Sequence, residues 1–108
     1  MNRLLLPVIL VLVFACAYSQ TQSESSFQPK SGFVPNAETA VKIAEAVLIP
    51  VYGKKQILSE RPFNATLEGD VWTVSGTLHC GAPHCMGGTA VVKISESSGQ
   101  ILQMVHYK

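Results

Sequence analysis

Hydrophobic residues are unevenly distributed along the chain, and the first block of them lies at the amino terminus. Arg3 is followed by an apolar run from Leu4 to Ala15 that contains no charged residue. A run of about a dozen residues is typical of a secretory signal peptide and is shorter than the roughly 20 residues of a membrane-spanning helix. The following Ala17-Tyr18-Ser19 fits the small-x-small rule of signal peptidase. We therefore predict a cleaved leader at residues 1–19.

Cys16 offers a second mode of processing. Val13-Phe14-Ala15-Cys16 places a small residue before a cysteine, as lipoprotein signals do, although Phe14 is bulky for that motif. Cleavage after Ala15-Cys16-Ala17 is a further alternative. Each route predicts a periplasmic or secreted protein, and lipidation at Cys16 would anchor it to the membrane of the envelope.

A polar segment separates the leader from the rest of the chain. Residues 20–32 are rich in Ser, Gln and Thr, which predicts a flexible lead-in. Residues 33–108 are expected to form one small domain. They contain no second long apolar run, so contact with a membrane is expected only through Cys16.

A helical pattern opens the domain. Asn36 is a favourable N-cap, and Glu38 in the first turn suits the positive end of the helix dipole. Pro50 predicts that the regular helix ends or kinks near Ile49. Apolar residues at spacings of three and four mark one face of this helix: Ala40, Ala44, Val47, Leu48 and Val51.

Alternating residues replace the helical period after the helix. Val71 to Leu78 gives the clearest strand, with Trp72 and Val74 on an apolar face that continues through Gly76 and Leu78. One helix followed by about four to five strands predicts an α+β domain, with the helix packed on a curled antiparallel sheet. The other predicted strands are Gln56 to Ser59, Phe63 to Leu67, Thr89 to Ile94, and Ile101 to Tyr107.

The charge balance excludes one class of partner. The chain has eight Lys and Arg against seven Asp and Glu, and loss of Arg3 with the leader makes the two counts equal. The charges are scattered and form no basic stripe, so we expect no binding to nucleic acid. The sequence gives no signal for a particular oligomeric state.

The cysteine usage predicts a disulfide. Of the three cysteines, Cys16 belongs to the leader or to a lipid anchor, which leaves Cys80 and Cys85 as a pair in an exported domain. Gly and Pro between them allow a tight reversal of the chain. Closing so short a loop stabilises the fold by roughly 2 kcal/mol.

The same loop permits two other interpretations. His79, Cys80, His84 and Cys85 are the ligand types of a tetrahedral zinc or a copper site, but adjacent ligands crowd one short loop. A cysteine nucleophile with a histidine base would need His106 from another strand. We therefore expect no metal, no cofactor and no catalytic residue in this protein.

Several motifs of the domain resemble those of a known family. They are Tyr52-Gly53, Arg61-Pro62-Phe63, Trp72 to Leu78, Gly87-Gly88, and His106-Tyr107-Lys108. In this combination the chain resembles bacterial immunity proteins with a nuclear-transport-factor-2-like (cystatin-like) fold. The resemblance covers nearly all of the expected domain and implies that the protein is not an enzyme. It implies instead binding of a cognate protein toxin, whose active site would be occluded.

The resemblance supplies no catalytic residues, and the disulfide-braced loop is the predicted contact surface. Within it, His79, His84 and Met86 are the candidate partner-binding residues. Three alternatives remain open: a general envelope inhibitor of a protease or lysozyme-type hydrolase, an envelope-sensing module, and a small ligand-binding protein or enzyme that uses the concave face of the sheet.

Overall fold

The computed structural model describes residues 27–80 and 87–108. The strands of this part form one antiparallel sheet in the order β1-β2-β3-β4, and α1 packs on one face of it. The predicted α+β architecture is confirmed, with four strands in the sheet. The elements are α1 (Ala37–Tyr52), α2 (Lys54–Ser59), β1 (Asn64–Glu68), β2 (Val71–Ser75), β3 (Ala90–Ser95) and β4 (Ile101–His106).

The leader at residues 1–19 and the first part of the lead-in lie outside the described residues, so the predicted processing stays a prediction. Among the residues that the structure describes, no helix is both long enough and apolar enough to cross a membrane.

The first helix begins where the sequence predicts. Asn36 caps it, because its Oδ1 accepts hydrogen bonds from the backbone N–H and the hydroxyl of Thr39, each at 2.8 Å. Ala40, Ala44 and Leu48 are fully buried. Their spacing of four places them in one stripe along α1, and this stripe packs against the sheet.

Pro50 does not end α1, so of the two outcomes predicted from sequence, an end or a kink near Ile49, the end is wrong. The helix continues through Pro50 to Tyr52. Proline cannot donate to the carbonyl of Ala46, but both residues are exposed, so water can reach that carbonyl. The helix ends at Gly53, whose φ of 92° suits glycine. Val51, expected on the buried face, is 61% exposed.

The segment after Gly53 is a helix, and the prediction of a strand at Gln56–Ser59 was wrong. In α2, Ile57 is fully buried against the core. Gln56 and Glu60 lie four residues apart on the same side, and Gln56 Nε2 donates to Glu60 Oε2 at 3.1 Å. So short a segment cannot distinguish a period of two from a period of 3.6, which explains the error.

Strand β2 ends earlier than expected, at Ser75 rather than Leu78. The Gly76 N–H still bonds to the Ala90 carbonyl, but the Thr77 N–H donates instead to the Glu60 carbonyl at 2.7 Å. The chain therefore leaves the sheet toward the residue that follows α2, and Leu78 is 44% exposed.

The core lies between α1 and the inner face of the sheet. Trp72 and Val74 of β2 face Ile94 and Val92 of β3 across the strand pair. The indole Nε1 of Trp72 donates to the Val34 carbonyl at 2.8 Å, so the polar end of this buried ring is satisfied. The fully buried or nearly buried apolar residues are Val34, Ala40, Ala44, Leu48, Ile57, Phe63, Trp72, Val74, Ala90, Val92 and Ile94.

The strands run between two ends of the domain, which are named here for the elements that meet at each. At one, called here the turn end, the β1–β2 and β3–β4 turns meet, because the Glu96 N–H donates to the Asp70 carbonyl at 2.9 Å. At the other, called here the α2 end, α2 lies beside the last residues of α1 and β4, where Tyr52 contacts His106.

Candidate functional site

A buried carboxylate lies at the α2 end. Glu60 directly follows α2, is 5% exposed, and is the one polar or charged side chain that is buried in the described part of the chain. Burying a charge without partners is costly, so its surroundings determine what the group does.

Three donors from three elements surround the Glu60 carboxylate. Oε1 accepts from the Ala90 N–H, at the first residue of β3, at 2.7 Å. Oε2 accepts from Gln56 Nε2 of α2 at 3.1 Å and lies 3.0 Å from Nε2 of His106, the last residue of β4. The carboxylate therefore connects α2 with the start of one strand and the end of the next.

These contacts favour the charged form of Glu60. Burial by itself would raise the pKa of Glu60, but hydrogen bonds from Ala90, His106 and Gln56, together with attraction to His106, outweigh it and lower the pKa. A lowered pKa means that folding favours the carboxylate over the acid, so the cluster stabilises the fold when Glu60 is ionised.

His106 is held on both ring nitrogens and on one face. Its Nδ1 lies 2.8 Å from the Tyr107 carbonyl oxygen, so with Glu60 both nitrogens face acceptors. A neutral imidazole can donate to only one of these acceptors. The ring also packs on Tyr52, with centroids 5.2 Å apart and planes tilted by 50°. The contact joins the end of β4 to the end of α1.

Two glycines make room for this cluster. A Cβ at Gly76 would lie 3.0 Å from Glu60 Cβ and 3.1 Å from Phe63 Cε1. A Cβ at Gly88 would lie 2.5 Å from Tyr107 Cβ. All three separations are shorter than ordinary carbon contacts, so a side chain at either position would displace the Glu60 cluster or the end of β4.

An ion pair and an apolar groove lie beside the cluster. Arg61 Nε and Nη2 donate to the two carboxylate oxygens of Glu45 on α1, each at 2.8 Å, and this pairing raises the pKa of Arg61. Both residues line an open groove of about 820 Å³ between α1 and β1, together with Val41, Pro62 and Phe63. The groove offers apolar contact beside two satisfied ion pairs, Arg61–Glu45 and Lys42–Glu38.

The residues singled out from the sequence are only partly within the described chain. His79 is exposed, and its Nε2 lies 2.5 Å from the Arg61 carbonyl oxygen. Cys80 is also exposed. Its predicted partner Cys85 lies outside the described residues, so the disulfide stays a prediction. The positions of Cys16, His84 and Met86 likewise lie outside the described residues.

No candidate metal centre occurs within residues 27–80 and 87–108, where no group of three or more metal-ligating side chains is found. The zinc arrangement considered from the sequence required His84 and Cys85, which lie between these two ranges. The zinc site therefore remains an untested alternative to the disulfide and the less favoured of the two.

The Glu60–His106 pair was missed by the sequence reasoning, although the motifs it recognised surround it. Tyr52 packs on His106, Gly76 lies against Glu60, and Arg61 directly follows Glu60. The spacing of four between Gln56 and Glu60 was one local signal of this site. It indicates a contact between the two side chains only if the segment is a helix. The residues of the recognised motifs therefore pack around the Glu60–His106 pair and hold the α2 end together.

Comparison with known proteins identifies the family to which this protein belongs. A family model described as NTF2 fold immunity protein matches residues 39–108, which is more than half of the chain. The protein therefore belongs to the NTF2 fold immunity protein family. Members of this family are described as immunity proteins.

One curated relative adds to this comparison. YhhH of Escherichia coli (strain K12), described as uncharacterized, is 29% identical over 87 residues, which cover 81% of this chain and 66% of that protein. The chain thus spans just under two thirds of the length of this relative. No solved structure gives a significant match.

Proposed function

We propose that this protein is exported and neutralises an antibacterial toxin by binding to it and covering its active site. The observation that carries the proposal is the match to the immunity protein family over residues 39–108. Occlusion requires a stable surface of about 800 Å² on each partner and no reaction chemistry from the inhibitor.

The Glu60 cluster supports a role in binding. Its carboxylate has three hydrogen-bonding partners within the domain, and it fixes α2 against β3 and β4. A surface held by such contacts loses little conformational entropy when a partner docks, which favours tight inhibition. In this proposal the cluster is the scaffold that holds the α2 end rigid.

Export is part of the proposal and rests on the predicted leader at residues 1–19. A periplasmic or secreted location, with an envelope anchor if Cys16 is lipidated, is where toxins that attack the cell wall or membrane arrive. The same oxidising location is the one in which Cys80 and Cys85 would form a disulfide.

The contact surface proposed from the sequence is the loop between β2 and β3, through His79, His84 and Met86. Of these, His79 lies at the α2 end, against the Arg61 carbonyl. Replacing His84 and Met86 together with Ala should weaken toxin binding without changing the melting temperature. Equal affinities of this variant and the wild type would exclude the two side chains from the interface.

Competition between sibling cells tests the function directly. The chain is depleted in its native host, and the depleted cells are mixed with unmodified siblings. We expect the depleted cells to be killed and the full-length chain, supplied in trans, to restore survival. Attacker mutants that no longer kill then identify the toxin.

Two outcomes would change the proposal. Survival of depleted cells beside every attacking sibling would contradict protection against kin toxins. Increased activity of an envelope protease or lysozyme in depleted cells, without killing, would favour the general hydrolase inhibitor instead.

A further inference from the structure

The α2 end carries a concentration of unpaired positive charge. Lys54, Lys55 and Lys108 form no ion pair, whereas Lys42 and Arg61 are paired with carboxylates of α1. In a chain with nearly balanced charge, three free ammonium groups at one end are a substantial local excess.

These lysines border two adjoining depressions that share Tyr52 and Gln56. One depression of about 560 Å³ is lined by Tyr52, Lys54, Lys55 and Gln56, among others. The second, of about 390 Å³, is lined by Tyr52, Gln56, His106 and Lys108. Tyr52 is half-buried and packs on His106, so the aromatic centre of this surface is fixed before any partner arrives.

The turn end carries an excess of acidic side chains, with Lys30 beside Ser97 and Ser98 as one basic residue near them. Glu68 and Asp70 lie at the β1–β2 turn, and Glu96 lies beside them in the β3–β4 turn. None of the three forms an ion pair. A molecule with positive charge at one end and negative charge at the other orients itself in the field of a charged partner during approach.

We propose that the lysine surface, defined as Tyr52, Lys54, Lys55, Gln56 and Lys108, docks a carboxylate-rich surface of the toxin. This inference rests on the proposed function and names the chemistry of the partner. Basic groups around a fixed aromatic side chain suit acidic side chains on a protein, and tyrosine is enriched at the centre of such interfaces.

Other anionic partners fit the surface less well. Binding to duplex DNA typically engages about 6–10 phosphates, and binding to anionic lipid typically uses clusters of about 4–8 Lys and Arg. The lysine surface has three lysines and lies on a chain with nearly balanced total charge. Carboxylates presented by a protein surface require fewer cations.

The first test uses the sibling competition with the full-length chain. A triple charge reversal, Lys54→Glu with Lys55→Glu and Lys108→Glu, should reduce survival at least tenfold. The matched control Lys93→Glu, on β3 away from this surface, should protect like the wild type. If the reversed chain has a lower melting temperature, the neutral triple Lys→Gln variant replaces it.

The outcomes of this test separate the two proposals. Full protection by a folded triple variant would overturn the lysine surface while the protective function stands. If even the wild type fails to protect, the proposed function fails, and the surface is decided by a second measurement that needs no toxin.

That measurement is a nuclear magnetic resonance titration with a hexaglutamate peptide at low salt. We expect amide shifts confined to the region of Tyr52, Gln56 and Lys108, abolished by the triple reversal and by raised ionic strength. Shifts located elsewhere, no shifts, or tighter binding to phosphatidylglycerol vesicles than to the peptide would overturn the assignment.

Discussion

The buried Glu60 carboxylate is expected to be a principal stabilising group of this domain. The replacement Glu60→Gln keeps the size of the side chain and one oxygen that can accept from the Ala90 N–H. Its new NH₂ group would face the Gln56 amide nitrogen, which is itself a donor, and His106 Nε2. The substitution therefore tests the charge and the acceptor capacity, with little change in packing.

The expected loss follows from these contacts. Hydrogen bonds to charged groups contribute about 1.5–3 kcal/mol and neutral ones about 0.5–1.5 kcal/mol. The Ala90 contact becomes a neutral one, and the Gln56 contact is lost because two NH₂ groups meet. The His106 contact also becomes neutral, with Nε2 as the acceptor, so the free energy of unfolding should fall by about 2 kcal/mol. For a domain of this size, that corresponds to a fall in melting temperature of roughly 8–16 °C.

The pH dependence gives an independent check. The folded pKa of Glu60 lies below its unfolded value, so its contribution is fully present above the unfolded pKa of about 4.3. The contribution is lost as the pH falls through the folded pKa. The difference in stability between wild type and Glu60→Gln should therefore be largest at neutral pH and shrink toward pH of about 3.

Urea unfolding followed by circular dichroism, at both pH values, measures this difference. Glu68→Gln is the matched control, because Glu68 is exposed at the end of β1 and makes no ion pair, so its effect should stay within about 0.5 kcal/mol. A Glu60→Gln variant as stable as this control, or a difference that does not change with pH, would refute the reasoning.

Three further predictions concern Trp72, Gly76 and the predicted Cys80–Cys85 disulfide. Trp72→Phe leaves the Val34 carbonyl without its donor and should cost about 1–3 kcal/mol, measured by urea unfolding; no loss would show that this bond is replaced by water. Gly76→Ala forces a methyl group against Glu60 and should cost about 1–3 kcal/mol, and a neutral result would mean that the neighbouring chain gives way freely. Mass spectrometry of the exported chain should show the mass gain of one reduced disulfide when reductant is added, and an unchanged mass would exclude the Cys80–Cys85 pair.

Much of the fold was predictable because its signals are local. The Asn36 cap and the spacing of Ala40, Ala44 and Leu48 define α1, and alternation in Val71–Ser75 defines β2. Each of these signals depends on residues within a few positions of one another, and hydrophobic periodicity predicts secondary structure over that range.

The errors fall where tertiary contacts override the local pattern. α2 replaces a predicted strand because Ile57 and Glu60 must both face the interior. At Pro50 the cause is instead solvent, because Ala46 and Pro50 are exposed and water can reach the unpaired carbonyl. The Glu60–His106 contact joins residues that are 46 positions apart. No local pattern encodes such a pairing, so the candidate site required the fold before it was visible.

Stoichiometry tests the central claim most directly. The toxin identified by sibling competition is purified, and its lethal activity is measured in the presence of increasing amounts of the exported chain. Neutralisation by occlusion predicts that activity falls in proportion to added protein and is abolished near an equimolar ratio. Loss of activity at a small fraction of that ratio would indicate catalytic inactivation, and full activity in excess protein would contradict the proposed function.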